Sequence, residues 1–397
     1  MPQSLVPAGF RMAGLHCGLK KNPNKEDITL VVAEKPAVAA GVYTQNVVHA
    51  APVALDRART PSDQIRAVVV NSGNANACTG EQGMRDATRM TELAAAACGA
   101  RPEQALVMST GVIGRFLPMD TVAAGIERAA GELGAENEHF ERAARGILTT
   151  DIGPKTAHAV VESAGGYSIA GMAKGAGMIG PNMATMLGLV LTDARLTPAD
   201  AQRILSETAD ATFNCISVEG HTSTNDTLLL LASGAAMREP LAGRELAEFQ
   251  TRLEAMCIEL AKQIPADGEG STHLIEIQIR GLRSVAEARQ IARTVANSAL
   301  VKTAITGGDP NWGRIVSAAG YAGVPFDPAG VDLHVNGIEL YRSGAPVAFD
   351  APTASASIKG KKDTEILLTF REGEASARFW TSDLTVEYVR FNAEYTT

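Results

Sequence analysis

The stretch Lys174-Gly175-Ala176-Gly177-Met178-Ile179-Gly180-Pro181-Asn182 holds three glycines and a proline, and it empties through Met183-Ala184-Thr185 into the apolar run Met186 to Leu191. The apolar run has the length and composition of a buried strand, and the glycines mark a loop before it. One hydroxyl, that of Thr185, stands at the junction. This is the layout of a self-cleaving N-terminal nucleophile. Breakage of the Ala184–Thr185 bond would give Thr185 a free α-amine, able to act as the base for its own hydroxyl. Such an amine has a pKa of roughly 7.7–8.0, close to neutrality, where a general base works best. The β-branch restricts χ1 and helps pre-aim the hydroxyl. The plainer reading is a threonine that caps or packs at a strand start, and residue type alone does not choose between them.

Other segments carry compatible chemistry. Ala105 to Gly114 reads as a strand running into a glycine turn, with Thr110-Gly111 near its end. Acyl transfer builds negative charge on a carbonyl oxygen, and fixed donors aimed at that oxygen are usually the largest catalytic term. A threonine hydroxyl beside an unshielded glycine N–H supplies two such donors, although Thr-Gly also occurs in ordinary turns. Glu269 sits between two glycines in Asp267-Gly268-Glu269-Gly270-Ser271-Thr272, its carboxylate close to the main chain. The vicinal pair Thr149-Thr150 can bind a carboxylate or complete a strand end. Lys174 offers a point charge suited to a carboxylate.

The string KGAGMIGPNMATML resembles the cleavage-site motif of the ornithine acetyltransferase family, the bifunctional glutamate N-acetyltransferases of arginine biosynthesis. Similar segments run along the chain: AAGVYTQNVVHAAPV, NSGNANACTG, STGVIG, TTD at 149–151, DGEGST and DPNWGR. The resemblance implies Thr185 as nucleophile, autocatalytic cleavage between Ala184 and Thr185, and Thr110 with Gly111 as the oxyanion hole. It implies substrate contacts from Thr149 (preferred over Thr150), Lys174, Thr185, Glu269 and two C-terminal residues five apart, Asn392 and Thr397. The reaction implied moves an acetyl group from N-acetylornithine to glutamate through acetyl-Thr185. It adds acetyl-CoA as a second donor, and the motifs leave open whether this chain uses it. The implied fold is α/β, a layered αββα sandwich of the N-terminal-nucleophile type with a smaller α/β C-terminal portion. Residues 1–184 and 185–397 would then be the α and β chains of an α2β2 heterotetramer. His221 stands where the family usually has an aspartate, and Phe379 to Asp383 departs from the family wording. The alternatives are an N-terminal-nucleophile amidase or aminopeptidase, and an unprocessed binding protein.

The remaining residues set bounds. A length of 397 with 45% hydrophobic residues allows a substantial core. A net charge of −8 argues against nucleic acid or an anionic membrane as partner. No apolar stretch reaches the length of a membrane span, and the N-terminus has no apolar segment of the signal-peptide kind. Five dispersed cysteines fit buried thiols in a reducing cytoplasm. The seven histidines show no ligand spacing, so neither a metal nor a bound cofactor is expected. Phosphate-loop and dinucleotide glycine motifs are absent, as is the G-x-S-x-G elbow.

The elements that must position these groups follow from periodicity. Ile28 to Ala33, Ala39 to Thr44, Ala67 to Asn71, Tyr167 to Met172 and Cys215 to Val218 read as strands. Residues 81–99, two segments within 119–146, 244–263 and 284–301 read as helices. Thr197-Pro198-Ala199-Asp200 is a helix start. Arg314 in DPNWGR reads as scaffold more than site, and 331–392 alternates in short strands.

Overall fold

The computed structural model describes residues 4–180 and 186–394. The first half runs β1 (Phe10–Leu15), β2 (Ile28–Tyr43), α1 (Ala51–Arg57), β3 (Ser62–Asn74), α2 (Gly80–Ala96), β4 (Ala105–Val112), α3 (Met119–Gly131), α4 (Asn137–Gly146), β5 (Lys155–Val161) and β6 (Tyr167–Lys174). Then come β7 (Leu187–Thr192), α5 (Pro198–Ala211), β8 (Ile216–Ser217), β9 (Thr227–Ala232), α6 (Gly243–Ala266), β10 (Leu274–Leu282), α7 (Val285–Ala296), α8 (Ala299–Thr306) and α9 (Trp312–Gly320). The chain continues through β11 (Asp332–Val335), β12 (Ile338–Arg342), β13 (Ala345–Pro346), α10 (Ala351–Lys359), β14 (Asp363–Thr369), β15 (Ala375–Ser382) and α11 (Val386–Glu394).

The 16-residue β2 organises the first sheet, whose order is β4-β3-β2-β9-β7-β6-β5 with β1 also on β2. Its first part, Ile28 to Val32, pairs with β3, and Val38 to Tyr43 pairs with β9. The register with β3 shifts between Val32 and Ala37, around the exposed Glu34-Lys35-Pro36. Proline cannot donate to a ladder, so the strand changes partners there. The sequence reads this stretch as two strands; it is one that passes between two layers.

Alternating side chains give each layer two apolar faces. Val31, Val68, Val70, Leu106 and Met108 from one layer meet Met172, Leu189, Leu229 and Leu231 from the other in a shared interlayer core. The outer face of the first layer, with Leu30, Val69 and Val107, packs on Met90 and Ala94 of α2 and Ile126 of α3. The outer face of the second, with Ile169, Val190, Leu228 and Leu230, packs on Ile204 of α5 and Leu253 and Leu260 of α6. Helix, sheet, sheet, helix is thus the observed layering. Each fully buried aliphatic side chain in these cores is worth about 1.5–3 kcal/mol.

The second sheet, β13-β12-β11-β14-β10-β15-β8, carries α7 to α10 and shares its core with α5 and α6. Strands on both sides of the 184/185 junction, β6 and β7, pair directly, so any cut there divides a sheet rather than separating two domains. The helix read over 284–301 is two helices: Asn297 ends α7, and Ser298 caps α8 by accepting from Val301 N. The start at Thr197 holds, its hydroxyl accepting from Asp200 N at 3.1 Å.

Candidate active site

Strand ends converge on one pocket. It is lined by Thr110, Gly111, Thr149, Thr150, Lys174, Gly177, Glu269 and Asn392, with Ala75, Ser223, Thr224 and Asn225 among the others. Its volume, counted out into the open mouth, is about 660 Å³. Six residues singled out from sequence, Thr110, Gly111, Thr149, Lys174, Glu269 and Asn392, therefore share a single cavity. Ala184, Thr185 and Thr397 lie outside the described residues.

Thr110 and Gly111 close β4, in parallel register with Ser72 and Gly73 of β3. Gly111 has φ +134°, and a Cβ there would meet the Gly73 carbonyl carbon at 2.3 Å, so only glycine allows this approach. The 71–80 loop is held by its own polar side chains. Asn71 Nδ2 donates to Asn74 O, and Asn76 Nδ2 to Gly83 O, each at 2.8 Å. It contributes Ala75 to the pocket wall.

Lys174 ends β6 and is 2% exposed. Its ammonium lies 4.0 Å from an Asp151 oxygen, beyond hydrogen-bond length. Burial lowers its pKa, with Asp151 opposing. Asp151 is the hub beneath: it accepts from Lys155 Nζ at 2.7 Å, Gly175 N at 2.7 Å and Thr149 N at 3.0 Å. Burial pushes its carboxyl up, but Lys174, Lys155 and these donors outweigh it and hold the group well below the carboxylate range. Lys155 also reaches Asp267 at 2.5 Å, tying the 149–151 turn to the loop that carries Glu269.

Glu269 follows α6, and its N–H donates to Ala176 O at 2.9 Å. Its carboxylate accepts from Thr150 Oγ1 at 2.8 Å and from Asn392 Nδ2 at 3.0 Å. Thr149 and Thr150 both line the pocket, and it is the hydroxyl of Thr150 that reaches Glu269. Asn392 arrives on α11, a helix the sequence reading did not separate from its strands.

The loop leading to 181–185 is anchored on both sides. Ile179 O accepts from Val218 N and Gly220 N, each at 3.0 Å, and Gly180 packs directly on Gly220. On the far side Met186 N donates to Asp226 Oδ1 at 3.2 Å, while Thr227 N donates to Met186 O at 3.1 Å. Of the polar run Glu219 to Asp226, sequence reasoning singled out His221 alone and assigned the rest no place in the site. The run has no periodicity, and its one signal is a row of hydroxyl and amide side chains between two strands. His221 is exposed beside Gly180. Glu219 is largely buried, and neither carboxyl oxygen has a hydrogen bond among the described residues. Burial, with Glu269 nearby, pushes its pKa up to about 8.

The DPNWGR box lies away from this pocket. Asn311 caps α9, Trp312 stacks on Tyr341 with centroids 5.3 Å apart, and Arg314 holds Leu300 O at 2.9 Å. Lys302, with Thr381 and Ser382, forms another buried network that joins α8 to β15. Among the described residues no group of metal-ligating side chains occurs, all five cysteines are free, and no helix is long and apolar enough to cross a membrane.

Residues 11–397 match the model of the ArgJ family. The chain is 48% identical over 397 residues to the arginine biosynthesis bifunctional protein ArgJ of Rhodopirellula baltica, covering 99% of this chain and 97% of that protein. It is 49% identical over 396 residues to the protein of the same name from Symbiobacterium thermophilum, covering 99% and 98%. The crystal structure of ArgJ from Bacillus halodurans matches with a TM-score of 0.50 and 39% identity, over 51% of this chain and 96% of that one.

Proposed function

The chain belongs to the ArgJ family, and from that premise we propose that it is a glutamate N-acetyltransferase that takes the acetyl group of N-acetylornithine. The observation that carries the reading is the single pocket in which Thr110, Gly111, Lys174 and Glu269 line one cavity together with Gly177 and Met178.

In this reading Thr185 Oγ attacks the acetyl carbonyl carbon and gives its proton to the α-amine of the same residue. The Thr110 hydroxyl and Gly111 N–H hold the tetrahedral oxyanion. The carbon–nitrogen bond breaks, the departing nitrogen takes the proton, and ornithine leaves an acetyl ester on Thr185. The amine of glutamate then attacks that ester, N-acetylglutamate departs, and the proton returns to Oγ. Both amino acids carry an α-carboxylate, which suits Lys174, an ammonium without a hydrogen-bonded partner among the described residues. Glu269, held by Thr150 and Asn392, suits an ammonium; Thr149 and Thr397 complete the contacts.

Self-processing uses the same hydroxyl. Thr185 attacks the Ala184 carbonyl, the peptide becomes an ester, and water releases chains 1–184 and 185–397, which assemble as α2β2 in the cytoplasm. A solved relative whose chain is matched over 96% of its length by 51% of this one is what a two-chain protein would give. Acetyl-CoA enters as a second donor to the same threonine, with no bound cofactor.

The test is transfer of labelled acetyl from N-acetylornithine to glutamate. Label in N-acetylglutamate with parallel double-reciprocal lines supports the account; label released only as acetate makes the protein an amidase.

A further inference from the structure

The segment Ser223 to Thr227 touches two parts of the site that are far apart in sequence. Asn225 Nδ2 donates to Ser109 O at 2.8 Å, the carbonyl just before Thr110, and to Ala75 O at 2.6 Å in the loop that follows β3. Its Oδ1 accepts from Thr224 Oγ1 at 2.6 Å, which fixes which end of the amide faces those carbonyls. The next residue, Asp226, accepts the Met186 amide. Asp226 is fully buried, and its other oxygen has no hydrogen bond among the described residues. Thr44, just past the end of β2, grips the segment, its N–H donating to Asp226 O at 2.9 Å and its hydroxyl to Ser223 O at 2.7 Å. Strand pairing continues the arrangement: β9 lies beside β7 with Thr227 opposite Leu187, and β7 beside β6 with Leu187 opposite Lys174.

Two adjacent side chains thus link the strand that carries Thr110 and Gly111 to the peptide that follows residue 185. We infer that Asn225 and Asp226 are positioning residues that hold the residue 185 hydroxyl in line with the Thr110-Gly111 donors, in self-cleavage and in acetyl transfer alike. This rests on the reading of Thr185 as a self-processed nucleophile. The physical reason is that this dipeptide's hydrogen bonds tie the two parts together directly, while acyl transfer tolerates little misplacement. A shift of about 1 Å at a reacting centre costs on the order of 10²-fold. Burial raises the Asp226 carboxyl well above its ordinary range, with the Met186 amide and Lys174 opposing. Asparagine keeps an oxygen that can accept the Met186 N–H.

The experiment follows cleavage of the freshly translated full chain by intact mass, and then measures steady-state transfer. Asp226→Ala slows appearance of the 1–184 and 185–397 fragments by on the order of 10²-fold, and Asp226→Asn restores most of the rate. Asn225→Asp, of equal size but with an acceptor facing two carbonyls, lowers kcat by a similar factor and leaves KM for N-acetylornithine nearly unchanged. Wild-type rates in Asp226→Ala or Asn225→Asp overturn the inference, as does Asp226→Asn as slow as alanine. Should Asp226→Ala not fold, the asparagine variant and the kcat-against-KM split of Asn225→Asp decide. A wild-type chain that never cleaves instead overturns the self-processing reading itself.

Discussion

The Glu269 carboxylate lies so close over Gly177 that a methyl group at 177 would meet it at 2.5 Å. The glycine-rich loop before residue 185 therefore makes room for a charge on its surface, and its glycines serve packing as well as turning. Gly177→Ala should displace Glu269 from Thr150 and Asn392. A hydrogen bond to a charged group is worth about 1.5–3 kcal/mol, so KM for N-acetylornithine should rise by about tenfold or more with little change in kcat. An unchanged KM would show that Glu269 does not meet the substrate.

Thr110 and Gly111 act on the transition state in this account. Thr110→Val, close in shape but without the hydroxyl, should lower kcat by about 10²–10³ while leaving KM nearly unchanged. Gly111→Ala should be worse, because its Cβ would strike Gly73 and the left-handed φ is strained for alanine. Near-normal kcat in Thr110→Val would remove that hydroxyl from the oxyanion hole.

Asp151 sits between two buried ammonium groups. Asp151→Asn leaves those cations facing each other and should cost about 3–5 kcal/mol at pH 7. The native carboxyl is held below its unfolded value, so its stabilisation is complete above the unfolded pKa of about 3.9. It is lost as pH falls through the lower native value. Denaturant unfolding at pH 7 and near pH 2 should show the variant's deficit shrinking on acidification, because the loss begins only below about pH 4. An equal deficit at both would assign it to packing.

Glu219 has the opposite sign. Its native pKa of about 8 lies above the ordinary 4.5, so the fold holds the proton more tightly than the unfolded chain does. Stability is therefore lost progressively as pH rises from 4.5 to 8, and the loss is complete above that. Glu219→Gln should be more stable than the parent at pH 8, by up to a few kcal/mol, and equal to it near pH 4.5. A constant difference across that range would contradict the assignment.

The residues that bear chemistry were legible where local pattern carries them. Thr110-Gly111 stands at a strand end, Glu269 between glycines, and Lys174 at the mouth of a loop. What could not be read is what pairing across the sheet creates. Asn225 and Asp226 matter because β9 lies beside β7, 40 residues away in the Met186–Asp226 contact. Asp151 matters because Lys155 and Lys174 descend on it from β5 and β6. Ile28 to Ala33 and Ala39 to Thr44 read as two strands, and the exposed Lys35-Pro36 between them is a crossing between layers within one strand. Asn297-Ser298 ended a helix inside an uninterrupted apolar period, because a serine cap competes with continuation. Helix α11 has no buried residue, so periodicity could not reveal it, yet it carries Asn392 to Glu269.

The most direct measurement is the intact mass of purified protein before and after brief exposure to N-acetylornithine. The account predicts two polypeptides divided between Ala184 and Thr185, with one acetyl group gained on the fragment that begins at Thr185. A single unbroken chain of 41.5 kDa that turns over substrate without acquiring an acyl group would contradict it.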